Sequence, residues 1–165
     1  MAEMKRIKIS LDNEMFSSDN ATDIVALLSI SYDENYFPNS KWTDFVCSVL
    51  GMWAHTLQVN ETLSNVNFSL YFMDGPYRLD AFKDENMWLI LKCINSRSTD
   101  IVEYTFQCEY YEMVEALREA FKKITYILHS RRMHDGKHRL TYEQSLITAQ
   151  KLKQILDRSN KRSNP

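Results

Sequence analysis

The chain has 165 residues, which fits one domain and hardly two. Hydrophobic residues make up 44% and aromatics 12%, which excludes a disordered chain, while only 3 Gly and 3 Pro imply regular structure with short connections. The formal net charge is −2, but residues 1–115 hold 18 acidic and 8 basic side chains (net −10), whereas residues 116–165 hold 4 and 12 (net +8). Such a split suits an acidic surface and a basic tail that face different ways, or basic helices packed on an acidic sheet.

The opening MAEMKRIKIS is charged with no apolar stretch behind it, so no secretory leader is expected. No apolar run approaches the roughly 18 residues of a membrane span, and the expected location is the cytoplasm. Cys47, Cys93 and Cys108 are widely spaced and form no CxxC pair. They are expected as buried free thiols, not as a disulfide framework or a zinc site.

In KRIKISL, Ile7, Ile9 and Leu11 alternate with basic and polar residues, which predicts a half-exposed strand over 5–11. DNEMFSSDNAT at 12–22 is turn-forming and acidic, hence a loop. The mostly apolar IVALLSISY at 24–32 predicts a strand buried on both faces, with a helix as the alternative. Asn39 and Ser40 can cap a helix. Behind them Trp42, Phe45, Val46, Val49, Leu50 and Trp53 recur at helical spacing, so a first helix is expected to about Leu57.

Four strand-like runs follow at 66–73, 76–82, 87–94 and 101–108, joined by short polar links that favour antiparallel hairpins. In the last run Val102, Tyr104, Phe106 and Cys108 alternate with Glu103, Thr105 and Gln107, so one sheet face should be polar there. Met113, Val114, Leu117, Phe121, Ile124 and Leu128 form the buried stripe of a helix over 110–130. After a break at Asp135-Gly136, Thr141 and Gln144 fit a capping box that opens a third helix. The order β-β-α-β-β-β-β-α-α predicts an α+β fold: an antiparallel sheet of about six strands with three helices packed mainly on one face. Residues 1–158 are expected as a single domain and 159–165 as a frayed tail.

Little in this chain points to chemistry. Gly51, Gly75 and Gly136 stand alone, so no phosphate or dinucleotide cradle exists and no cofactor is implied. His134 and His138, with His129 and Asp135 nearby, have the spacing of a helical metal pair. However, Asp135-Gly136 favours a turn, and Arg131, Arg132, Lys137 and Arg139 disfavour a cation, so a solvated basic loop is expected and no metal. Those four cations also suit phosphate, but only Tyr126 and Tyr142 lie near to stack bases, which argues against nucleic acid. His55 and Cys47 lie eight residues apart on one predicted helix, too far for a hydrogen bond, and no GxSxG elbow accompanies them. The acidic pairs fall mostly in predicted loops, where solvation is the default. No catalytic residue is singled out, and a non-enzymatic protein is expected.

The last constellation is acidic and aromatic. Residues 32–37 (YDENYF), 72–77 (FMDGPY) and 109–112 (EYYE) set tyrosines beside carboxylates at predicted loop tips. Rings supply contact area at little entropic cost, and acids steer a basic partner. The candidate partner-binding residues are therefore Asp33, Glu34, Tyr36, Asp74, Tyr77, Asp84 and Glu85. The plainer alternative is loop anchoring by half-buried tyrosines.

The stretch FPNSKWTDFVCSVLGMWAHTL at 37–57, followed by FSLYFMDGPYRLDAF at 68–82, resembles small bacterial immunity proteins, the partners of polymorphic and contact-dependent growth inhibition toxins. The resemblance lies in W-x-D-F opening a helix and in the later F-M-D-G-P-Y hairpin, and it covers residues 30–110. It implies a cytosolic, non-enzymatic protein that binds a cognate toxin domain, in many such pairs a nuclease, and blocks its active site or substrate path. The acidic region would then complement a basic cleft and raise the association rate. The class has many unrelated folds, so no specific binding residue carries over, and the oligomeric state is not indicated. Two other readings stay open: a small enzyme with a pocket between sheet and helices, and a nucleic-acid adaptor using the basic C-terminal segment.

Overall fold

The computed structural model describes residues 6–12 and 24–163, so the acidic loop expected at 12–22 lies, apart from Asp12, outside the described residues. The described elements are β1 (Ile7–Leu11), β2 (Val25–Tyr32), β3 (Asn35–Phe37), β4 (Thr43–Phe45), α1 (Val46–Asn60), β5 (Val66–Tyr71), β6 (Tyr77–Lys83), β7 (Trp88–Asn95), β8 (Ile101–Glu109), α2 (Tyr110–Ser130) and α3 (Arg139–Ser163). A single 3-10 turn at Gly136–His138 leads into α3. Among the described residues no helix is long and apolar enough to cross a membrane.

The α+β class holds, but the strands form two antiparallel four-stranded sheets instead of one sheet of about six. The first sheet runs β1-β2-β3 with β4 also paired to β2, and the second runs β5-β6-β7-β8. The difference has a simple cause. β3 and β4 have three residues each, too short for alternation to be read. The β1–β2 hairpin sets Ile7, Ile9 and Leu11 opposite Tyr32, Ile30 and Leu28, so its apolar face is built from both strands. That face lies on the second sheet, where Tyr32 stacks on Phe106 with ring centroids 5.1 Å apart.

Helix α1 begins at Val46, not near Ser40. Thr43–Phe45 pair with Leu27–Val25, and the Val46 N–H donates to the Ile24 carbonyl at 3.0 Å, so the backbone before Val46 is committed to β2. From there the expected stripe buries Val46, Val49, Leu50, Trp53, Ala54 and Leu57. Helix α2 matches its predicted span and carries a capping box between Glu109 and Glu112. Helix α3 starts at Arg139, so Thr141 sits inside it and does not cap it.

Two polar clasps fix α1 between the sheets. At its start, the carboxylate of Asp44 is only 1% exposed. It accepts hydrogen bonds from the N–H groups of Phe45 (2.7 Å), Met73 (3.1 Å) and Asp74 (3.2 Å), and from the Trp42 indole (3.3 Å). Gly75, at φ +84°, lies under the Trp42 ring, where a Cβ would come within 2.7 Å of an indole carbon. The W-x-D-F and F-M-D-G-P-Y motifs are thus the two halves of one clasp between the sheets. At the other end, the Tyr110 hydroxyl donates to the Leu57 carbonyl and the fully buried Lys83 amine donates to the Glu61 carbonyl at 2.7 Å. The Glu61 carboxylate is bound by Arg158 of α3 at 2.6 Å. Burial pulls the Lys83 amine below the usual lysine range, and the neighbouring Glu61 charge offsets part of that.

Removing the Asp44 carboxylate leaves several buried N–H groups without an acceptor. Asp44→Ala is expected to lower stability by about 3 kcal/mol, read as a fall in urea midpoint at unchanged slope. Asp74→Ala, which keeps the backbone donor and loses only an exposed side chain, should stay within about 0.5 kcal/mol of the parent.

Candidate functional site

The β5–β8 sheet has one covered face and one open face. Inward, Leu70, Leu79, Cys93 and Tyr104 form one cross-strand row, and Phe68, Ala81, Leu91 and Phe106 form the next. The alternate side chains point away from the core. They form the rows Ser69–Asp80–Lys92–Thr105 and Asn67–Phe82–Ile90–Gln107, with Tyr71 opposite Arg78 at one end and Trp88 opposite Glu109 at the other. An antiparallel sheet with a solvated face ordinarily shows polar side chains there. Here Tyr71 is 57% exposed, and Trp88 and Ile90 are each 39% exposed.

Arg78 stands at the middle of a rigid polar network on this face. Its Nε and one terminal nitrogen fork onto Asp80 at 2.9 and 3.1 Å. Its two terminal nitrogens fork onto Asp100 at 2.5 and 3.3 Å, and one also reaches Ser96 at 2.6 Å. All five guanidinium N–H groups are thereby used. Ser69 donates to Asp80 at 2.7 Å, so the network joins β5, β6 and the β7–β8 turn. The Arg78 hydrogen bond holds the Asp100 carboxyl below its ordinary value, with Ser96 adding to it. For Asp80, burial pushes upward, but hydrogen bonds from Arg78 and Ser69 prevail and the net direction is down. One cation and two carboxylates leave the cluster with a net negative charge in a fixed geometry.

The seven residues expected to meet a partner do not converge on one patch. Asp33 and Glu34 form the β2–β3 turn, and Tyr36 is exposed on β3. Asp74 sits at the β5–β6 tip, while Asp84 and Glu85 form the β6–β7 turn at the opposite end of β6, whose seven residues span roughly 23 Å. Two of the seven have structural contacts: Tyr77 joins its hairpin to the first sheet, and Asp84 shapes its own turn. The Tyr77 ring packs edge-on against Phe37 (5.7 Å) and Trp42 (4.8 Å), and Asp84 accepts the N–H groups of Asn86 and Trp88, both at 2.8 Å. Glu34, Tyr36, Asp74 and Glu85 are left as exposed side chains.

Tyr71, Arg78, Trp88 and Ile90 were not singled out by the sequence reading, although a signal existed. Arg78 and Asp80 share one side of β6, and Trp88, Ile90 and Lys92 share one side of β7. Charges on a shared face mark it as open, which puts Trp88 and Ile90 in solvent.

The basic candidates Arg131, Arg132, Lys137 and Arg139 are exposed around the α2–α3 connection, where Arg139 pairs with Glu143 at 2.8 Å. The His129 and His134 rings stack at 4.6 Å, and burial, with nearby Lys137 adding, lowers the basicity of His138. Among the described residues no group of three or more His, Cys, Asp or Glu side chains is gathered to hold a metal ion. Cys93 and Cys108 are buried, and burial pushes both thiols up to about 12, with nearby glutamates adding to the effect. Neither is poised as a nucleophile at neutral pH. No protein family, curated protein or solved structure matches this chain.

The two thiols make a test of this arrangement. In the unfolded chain they ionise near 9.0, and in the fold only near 12, so above pH 9 the unfolded state binds fewer protons and stability falls with rising pH. Between pH 9 and 10 each thiol should cost about 1 kcal/mol. Between pH 9 and 10 the parent should therefore lose about 2 kcal/mol more stability, measured by urea unfolding, than the Cys93→Ala/Cys108→Ala variant.

Proposed function

We propose that this protein is a non-enzymatic, cytosolic binding protein of the immunity type, which takes a cognate toxin domain on the open face of β5–β8 and so blocks it. The observation that carries this reading is the side-chain content of that face. Trp, Tyr and Arg are the residues in which binding energy concentrates; here Tyr71 and a hydrogen-bonded Arg78 stand at one end of the open face and Trp88 at the other, about 20 Å away with Ile90 beside it, so the partner would have to span the length of the face. The hydrogen-bond network already fixes the Arg78 side chain, so little of its entropy remains to be lost when a partner arrives.

Charge supports the same reading. The Arg78–Asp80–Asp100 trio is net negative, Lys92 beside Asp80 offsets it on the face itself, and Asp74, Glu85 and Glu109 form an acidic rim at the ends of the strands. A basic surface, such as the substrate cleft of a nuclease toxin, complements this rim and would be steered to it. The immunity resemblance in residues 37–57 and 68–82 adds a class of partner. Its motif residues Trp42, Asp44 and Gly75 act as structural clasp residues, and the proposed contact lies beside them on the outer face of the same hairpin.

Affinity capture from the native lysate, combined with sequencing of the gene immediately upstream, tests the reading. The expected result is one stoichiometric partner, encoded next door, which stops growth when expressed alone and permits it when this chain is co-expressed. A neighbouring product that neither binds nor is neutralised overturns the proposal. Within the complex, Trp88→Ala and Ile90→Ala should each weaken binding by about thirtyfold or more, the scale of a 2 kcal/mol contact. Both variants should unfold at nearly the parent urea concentration.

A further inference from the structure

The connection between α2 and α3 gathers three of the chain's four histidines. His129 lies in the last turn of α2, His134 in the connection, and His138 in the 3-10 turn that leads into α3. The His134 ring is stacked on His129, with centroids 4.6 Å apart, and lies 5.7 Å from the Tyr142 ring of α3, so the connection and the start of α3 are packed as one unit. His138 is only 4% exposed. Its Nε2, and the Nδ1 of His134, are buried without a hydrogen-bond partner among the described residues. A neutral imidazole tolerates this, because one of its nitrogens is only an acceptor. An imidazolium does not: both nitrogens carry hydrogens, and a buried N–H without an acceptor is strongly penalised. The surroundings supply no such acceptor. The last turn of α2 holds Tyr126, His129 and no carboxylate, and its end carbonyls are taken by the N–H groups of Arg131, Arg132 and Met133. Residues 129–143 set Arg131, Arg132, Lys137 and Arg139 against Asp135 and Glu143. Glu143 binds Arg139 at 2.8 Å, and Asp135 lies 3.6 Å from the Nε2 of His134. Across a small hollow from Leu140, Thr141, Gln144 and Ser145, α1 presents Cys47, Ser48 and Gly51, none of them a carboxylate.

We propose that the α2–α3 corner is an acid-sensitive latch, closed while its histidines are neutral and opened locally, together with the first turns of α3, when His138 takes a proton from water. Inside the closed corner the added N–H meets no acceptor, whereas in the opened corner both ring nitrogens face water. Burial, with Lys137 adding, lowers the basicity of His138 in the same direction. In the open state the ring ionises near its ordinary 6.5 and in the closed state lower, so below pH 6.5 the open state binds more protons and gains population. One proton taken up on opening raises the open fraction by up to about tenfold per pH unit, until the closed state is protonated as well. The opening stops where α3 is anchored. Ser145 is buried, Leu152 and Ile155 lie in the core, and Arg158 binds Glu61 at 2.6 Å. The moving part is therefore residues 129–145, and the remainder of the fold stays closed.

The test is hydrogen exchange of the full chain at pH 7, 6 and 5, with each amide's rate divided by its intrinsic rate at that pH. Between pH 7 and 5 the amides of 129–145 should lose protection at least threefold, while those of β5–β8 keep theirs. His138→Met, which fills the site and carries no proton, should remove that pH dependence. His55→Gln, at an exposed position of α1, should leave it intact. In the parent, the His138 ring followed by NMR should titrate below 6.5. Should His138→Met fail to fold, the ring titration and the exchange map of the parent decide alone. The proposal fails if protection of 129–145 is the same at pH 7 and 5, or if it falls across the whole chain, which would be general acid unfolding. It also fails if the pH dependence survives in His138→Met, or if the His138 ring titrates at 6.5 or above. No partner takes part in these measurements, so their result stands apart from the binding reading of β5–β8.

Discussion

One buried carboxylate holds the two sheets in register. Asp44 belongs to the first sheet through β4, yet two of its four donors, Met73 and Asp74, lie at the tip of the β5–β6 hairpin. A carboxylate removed from water is costly unless its lone pairs are filled, and here backbone N–H groups and an indole fill them. The hairpin tip gains an acceptor for donors that a turn would otherwise leave to solvent. Helix α1 then has to begin just after Asp44, because the residues up to Phe45 are bound into β2. Its start, and with it the placement of Trp53 and Leu57 in the core, follows from that single anion.

The far end of α1 applies the same logic with opposite charge. The last carbonyls of a helix lack intrahelical partners, and here they receive the Tyr110 hydroxyl and the Lys83 amine. The Lys83 amine also lies over the Tyr110 ring, 4.8 Å from its centroid. Arg158 binding to Glu61 brings the basic C-terminal helix onto the acidic N-terminal part of the chain. Other pairs, such as Arg78 with Asp80 or Arg139 with Glu143, are local. The charge division seen in the sequence is therefore joined at this point.

The long periodic elements were legible from the residues. Alternation in β1 and β8, and apolar runs with short polar links for β2 and β5 to β7, located these strands to within a residue or two, and the helical stripes of α2 and of the body of α1 lie where the spacing put them. What escaped was decided by contacts distant in sequence. Trp42 and Phe45 fit the helical stripe, but Asp44 is claimed by a hairpin about thirty residues away, and no local pattern records that claim. β3 and β4 are too short to register. For the candidate site, the tyrosine and acid tips were readable, but their positions at opposite ends of β6 were not. The open face required knowing which strands are neighbours, because only then do Trp88, Ile90, Arg78 and Tyr71 become one surface.

The contact between Trp42 and Gly75 constrains the sequence. The indole occupies the space that any side chain at 75 would need, and the positive φ there already disfavours one. The constraint runs one way: a side chain at 75 requires the ring at 42 to shrink or move, whereas a smaller residue at 42 would leave Gly75 in place but empty the space that the indole fills. A tryptophan two residues before an aspartate, and a glycine some thirty residues on, are the sparse trace that this clasp leaves in the sequence.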